Sequence, residues 1–132
     1  MKRLLGDMRG VAAIEFAFAS TALMLLVFGI VEMGRMLWTQ QVLNGAAAET
    51  ARCLAIGSIN CPSGGAYAAT AAANRGVSDV QTNMVTVSAN DACGSTAGNF
   101  TKVTIAYGYA SVVPSFVPTP AGGLTATACF PH

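Results

Sequence analysis

Charge is what this sequence most lacks. Of its 132 residues, 10% are Asp, Glu, Lys or Arg, against roughly 25% in an average soluble domain. With 53% hydrophobic residues and a net charge of +1, the chain is the opposite of an intrinsically disordered segment, which is poor in apolar residues and highly charged. Its seven Lys and Arg are scattered and build no basic stripe, so nucleic acid is not an expected partner. Histidine is nearly missing too. The single one is the terminal His132, so no Ser/His/Asp set can be assembled. There is no CxxC, and the spacings of the four cysteines match no common zinc site. No phosphate-cradling glycine motif occurs; the 14 glycines mark turns and helix ends. Asp79 and Asp91 are single acids in loop-like sequence. An enzyme is therefore not expected, nor a cofactor, nor a metal. One compact domain is the most this length allows, either membrane-associated or a very apolar globule.

The position of the apolar residues decides between those two. Phe16 to Val31 reads FAFASTALMLLVFGIV, without a charge and with Ser20 and Thr21 as its polar residues. Counted from Val11 with Glu15 included, the run is about 21 residues, or roughly 30 Å of helix, enough to cross a hydrocarbon core. Lys2, Arg3 and Arg9 outweigh Asp7 before the span, which predicts a cytoplasmic amino end and an external remainder. A cleavable secretory signal is the rival reading. It requires a small-x-small site just after the apolar core; Ala46 to Ala48 comes too late, and Ala17-Phe18-Ala19 precedes the core.

Glu15 is the residue out of place. A carboxylate about one turn inside an apolar span costs a few kcal/mol if left unpaired at depth. Either it sits at the interface, with the span starting at Phe16, or it has a partner. Its surroundings run Arg9-Gly10-Val11-Ala12-Ala13-Ile14-Glu15-Phe16. A short basic leader ending in Gly, a hydrophobic segment with Glu five residues on, and an aromatic next resembles a type IV prepilin. More closely, Gly-x4-Glu-Phe, the span and Glu32-Met33-Gly34-Arg35 resemble TadE-like pseudopilins, minor pilins of the tight-adherence (Tad, or Flp) pilus. The resemblance continues through Gln40, Asn44, Ala47, Ala48, Ala51 and Arg52, covering about residues 9 to 56. Beyond that it is one of style, in Thr/Val strands and a closing Leu124-Thr125-Ala126-Thr127-Ala128.

The resemblance implies processing and assembly. A membrane-embedded prepilin peptidase would cut after Gly10, leaving Val11 as the mature amino terminus; glycine suits a cut that needs an extended, approachable backbone. Glu15, beside Phe16, would face the free amine of a neighbouring subunit's first residue, the two buried charges offsetting each other's cost. Implied partners are that peptidase, other pilin or pseudopilin subunits, the inner-membrane assembly platform and membrane lipid. Implied location is the bacterial inner membrane, single-pass, with the head periplasmic or extracellular. Loss of residues 1–10 removes three bases and one acid, moving the formal charge from +1 to −1.

The helix is expected to outrun the membrane. No proline follows Val31 until Pro62, and the intervening residues are good helix formers. Met36, Leu43, Ala47 and Leu54 share a stripe, with Gln41, Gly45, Glu49 and Arg52 opposite. Glu32 with Arg35 and Glu49 with Arg52 are opposite charges three apart. The expectation is one helix from about Ala12 to Ile56, ended by Gly57. Trp38 marks the outer interface or belongs to the core of a head; either reading is open. After the loop from Gly57 to Gly65, a second helix is expected over Ala66 to Asn74 and strands over Met84–Ser88, Thr101–Tyr109 and Leu124–Phe130. Val103, Ile105, Tyr107 and Tyr109 alternate onto one face, and Leu124, Ala126, Ala128 and Phe130 onto another.

The resulting fold class is α+β: a long transmembrane and spine helix carrying a small, disulfide-bonded antiparallel head, pilin-like in form. Its parts are a leader (1–10), a span (11–31), an extracytoplasmic continuation (32–56) and the head (57–132). All four cysteines fall after the span, where disulfides persist. Of three connectivities, we favour Cys53–Cys61 with Cys93–Cys129. Between the last two strands, three prolines bar regular structure while Val112, Val113, Phe116 and Val117 remain apolar. That segment either folds back on the head or forms a contact patch. Two function classes follow: a processed structural subunit of a pilus, or an uncleaved, single-span anchored binding module.

Overall fold

The structure is a computed structural model that describes residues 9–61, 63–112, 120 and 122–131. Lys2, Arg3, Asp7, Val113, Phe116, Val117 and His132 lie outside the described residues. The leading element is α1 (Arg9–Ala55), 47 residues long, or about 70 Å. It is continuous from the apolar run into the head because neither Gly nor Pro clusters interrupt it. Within the run, the Ser20 and Thr21 hydroxyls donate to the Ala17 carbonyl at 3.0 and 2.8 Å, so neither is left unsatisfied in apolar surroundings. Gly57, at φ +61°, ends the helix. Its N–H donates to the Leu54 carbonyl and that of Ser58 to the Cys53 carbonyl, the paired bonds that close a helix on a left-handed glycine.

The head follows as α2 (Gly64–Ala73), a short 3-10 turn, and strands β1 (Val85–Cys93), β2 (Thr96–Tyr107) and β3 (Leu124–Pro131). The strands form one antiparallel sheet in the order β1-β2-β3. β1 runs five residues past the expected Ser88, and β2 starts five before the expected Thr101. The added pairs are irregular: the register shifts between Ser88 and Asp91 and again before Cys93, and Asn90 adopts φ +57°. A bulged strand end of this kind carries turn-like residues without leaving the ladder.

The sheet and α2 both pack on α1. Leu43 is fully buried, alongside Ala46, Ala47, Ala51, Ala68, Ala72, Val103, Ile105 and Ala126. The small residues on α1 and α2 let the two helices approach closely. Thr50, also fully buried, donates its hydroxyl to the Ala46 carbonyl at 2.7 Å. The stripe of Met36, Leu43, Ala47 and Leu54 faces this core, as does the Val103/Ile105 face of β2. Cys53 is bonded to Cys61, fixing the loop after α1, and Cys93 to Cys129, joining the outer strands β1 and β3.

The pairing expected within α1 between Glu49 and Arg52 does not occur. Glu49 is instead bonded to Arg75, just past α2, and accepts from the Tyr67 hydroxyl at 2.9 Å. Those bonds lower the Glu49 pKa and raise that of Tyr67. Arg75 also donates to the Ala71 carbonyl. The Arg75 guanidinium, itself held by the Ala71 carbonyl, takes the place of the exposed Arg52 three residues along the same helix.

Candidate functional site

Residues 10–31 of α1 project from the head with their apolar side chains exposed, including Phe16, Phe18, Leu26, Phe28 and Ile30. The helix is long and apolar enough to cross a membrane once, and none of its most hydropathic window is buried in the protein. Exposing that much contiguous apolar surface to water would be severely unfavourable. Gly10, Val11, Glu15 and Phe16 all lie on this bare part, in the first two turns of α1, and all are exposed. No described side chain is bonded to Glu15.

Where the bare segment meets the head, one carboxylate ties the two together. Glu32 is the first residue after the apolar run and is 3% exposed. Its Oε2 accepts from Arg35 at 2.9 Å, one turn on. Its Oε1 accepts from the Tyr109 hydroxyl at 3.1 Å and from the Val112 N–H at 3.2 Å. Burial pushes the Glu32 carboxyl up, but the hydrogen bonds from Ser111, Val112 and Tyr109 and the charge of Arg35 together hold its pKa below the ordinary value. For Tyr109, burial and its bond to the Glu32 carboxylate raise the hydroxyl. The Arg35 guanidinium lies 6.0 Å from the centre of the Tyr109 ring, within cation–π range. The chain leaving β2 is thus fastened to α1 at the level where the apolar run ends.

The spacing of Glu32 and Arg35 was legible as a pair; the burial of Glu32 and its hold on Tyr109 and Val112 were not. The available signal was phase. Tyr109 continues the inward face that begins at Val103 and Ile105, so its hydroxyl had to find a buried acceptor. Val112, from the apolar contact segment, is 73% exposed at its side chain although its N–H is held; Val113, Phe116 and Val117 lie outside the described residues. Trp38 is 64% exposed and stands apart from the head core. Among the described residues, no group of three or more His, Cys, Asp or Glu is placed to hold a metal.

A single long helix, bare and apolar in its first half and sheathed by a small α+β head in its second, is compatible with a single-pass membrane anchor. The helical part is similar to one known family. Residues 10–52 match the family model for TadE-like protein, in agreement with the resemblance carried by Gly10, Glu15, Phe16, Glu32 and Arg35. TadE-like proteins are associated with the Tad pilus, and their part in it is structural rather than enzymatic. The match begins at Gly10 and stops within α1, leaving the sheet outside it. No curated protein and no solved structure matches the chain.

Proposed function

We propose that this chain is a minor pilin, or pseudopilin, that takes part in Tad/Flp pilus biogenesis and surface adhesion as a structural subunit. A prepilin peptidase cuts it after Gly10, and Val11 becomes the mature amino terminus. The span then lies in the inner membrane, with the basic leader on the cytoplasmic side and the head outside. Other pilin subunits and the assembly platform take it from there. The observation that carries the reading is the family match over 10–52, which begins at the proposed cleavage glycine and takes in the Gly-x4-Glu-Phe motif.

The physical logic supports it. An apolar helix without protein contacts needs lipid before assembly and neighbouring helices after it. Glu15, without a described partner, acquires one when a neighbour's Val11 amine comes alongside; pairing the two charges makes their burial tolerable. Gly10→Ala is expected to accumulate the uncut precursor. Glu15→Ala is expected to be cut yet to be depleted from sheared surface filaments by tenfold or more. Normal incorporation of the Glu15→Ala protein contradicts the pairing. The uncleaved anchored binding module is the second reading, favoured by the head's lying outside the family match, and it requires Met1 to persist.

A further inference from the structure

At the foot of the head, a cleft of about 540 Å³ opens between α1, the turn after α2 and the end of β2. From α1 it is lined by Gly34, Arg35, Trp38 and Thr39, and from the rest of the head by residues that include Asp79, Tyr107 and Tyr109. Its height on the helix is set by arithmetic. Arg35 is four residues beyond Val31 and Trp38 seven, about 6 and 10 Å along the axis. The headgroup layer of a leaflet extends ~5–7 Å past the hydrocarbon edge. A span that ends at Val31 therefore puts Arg35 within the headgroup layer and Trp38 just beyond it, so the lower edge of this cleft meets the lipid headgroups.

The chemistry of the lining is two-signed. Among the described lining residues, the charged ones are Arg35 and Asp79. Arg35 gives Nη1 to Glu32, but its side chain is 51% exposed, and a guanidinium has five N–H donors. Asp79 accepts one 3.3 Å bond at Oδ1 from the Ser78 hydroxyl, and no described group bonds its Oδ2. Trp38, 64% exposed, lines the same cleft. We propose that this cleft binds the headgroup of a zwitterionic phospholipid carrying a primary ammonium, with the phosphate on Arg35 and the ammonium on Asp79 and the aromatic rings. An anionic headgroup would leave Asp79 opposed to its charge. A quaternary ammonium has no N–H to give the carboxylate. A free phosphate ester has the same polar groups but lacks the tails that hold it at the bilayer. The inference rests on the membrane-anchored reading and gives the anchor a lipid preference.

Trp38 is the single tryptophan of the chain, so its fluorescence reports on this cleft directly. The full chain in non-ionic detergent is titrated with dihexanoyl phosphatidylethanolamine, dihexanoyl phosphatidylcholine and dihexanoyl phosphatidylglycerol, and with tail-less glycerophosphoethanolamine. The expected result is a saturable change with phosphatidylethanolamine, at least fivefold tighter than with the other three. Asp79→Asn should erase the preference over phosphatidylcholine, and Arg35→Gln should weaken all three lipids. Circular dichroism and intact disulfides check the fold of each variant. Equal response to all headgroups, preference for phosphatidylglycerol, equally tight binding of the tail-less ester, or an unchanged ratio in Asp79→Asn overturns the proposal. Alkaline carbonate extraction of the same membranes separates the two levels: release of the wild-type chain defeats the membrane reading, whereas retention without lipid preference defeats the cleft alone.

Discussion

Glu32 stands one residue beyond the apolar run of α1 and accepts hydrogen bonds from Arg35, Tyr109 and Val112. A buried carboxylate is tolerable because every lone pair it turns inward meets a donor; with one donor removed, the charge would be left partly unpaired. Because its pKa is held below the ordinary glutamate value, the ionised form favours the folded state. That contribution is present above the unfolded value of about 4.3 and is lost as the pH falls through the folded value. Glu32→Gln is expected to lower the thermal midpoint of the head at pH 7, and the gap to wild type should narrow as the pH falls below about 4.3 and through the folded value. Thermal unfolding followed by tyrosine circular dichroism across pH 3–7 tests this. A gap that persists in acid would mean the side chain acts through shape rather than charge.

At the scale of elements, the head is a thin assembly held by two covalent staples. The core uses Leu43, Val103 and Ile105 as its largest fully buried apolar side chains, and much of the rest is alanine. Cys93–Cys129 closes 36 residues and Cys53–Cys61 closes 8. Loop-closure entropy makes these worth about 4 and about 2.5 kcal/mol respectively. Paired Cys→Ser replacements should therefore destabilise the head in that order in denaturant titrations; the reverse order would show that strain or residual structure dominates.

Gly123 is the tight point where the chain enters β3. It adopts φ +83°, and an added Cβ would run into the Tyr107 carbonyl oxygen. Gly123→Ala should cost more than ~1 kcal/mol in the same titration, and a neutral effect would contradict the geometry. Much of this architecture was readable in advance. The long helix, its buried stripe and the alternating faces of β2 and β3 follow from periodicity that the core then enforces. The far end of β1 was not, because Ala89-Asn90-Asp91 reads as a turn and is in fact a bulge still within the ladder. Likewise Ala97-Gly98-Asn99 reads as a loop, yet it lies within β2, between the pairs Cys93–Thr96 and Asp91–Phe100 where the register shifts. Arg75 was missed as the partner of Glu49 because the contact joins α1 to the chain beyond α2, and sequence spacing registers pairs on one helix alone.

The whole molecule divides into a bare helix, long and apolar enough to cross a membrane, and a head that covers the rest of the same helix. The sparse charge of the sequence follows from this division. The apolar run carries no charge but Glu15, and the spine and α2 meet through alanines, so what charge there is concentrates at a few points. Glu15 lies in the apolar run; Glu32 and Arg35 lie where that run meets the head; Glu49 and Arg75 lock α1 to the chain just past α2. The helical segment is similar to TadE-like proteins, which are associated with the Tad pilus, and the proposed cleavage after Gly10 is the step that would commit the bare helix to such an assembly. The most direct test is the amino-terminal sequence and intact mass of the chain recovered from sheared surface filaments and from membranes. The account predicts a chain that begins at Val11; a chain that still begins at Met1 would contradict it.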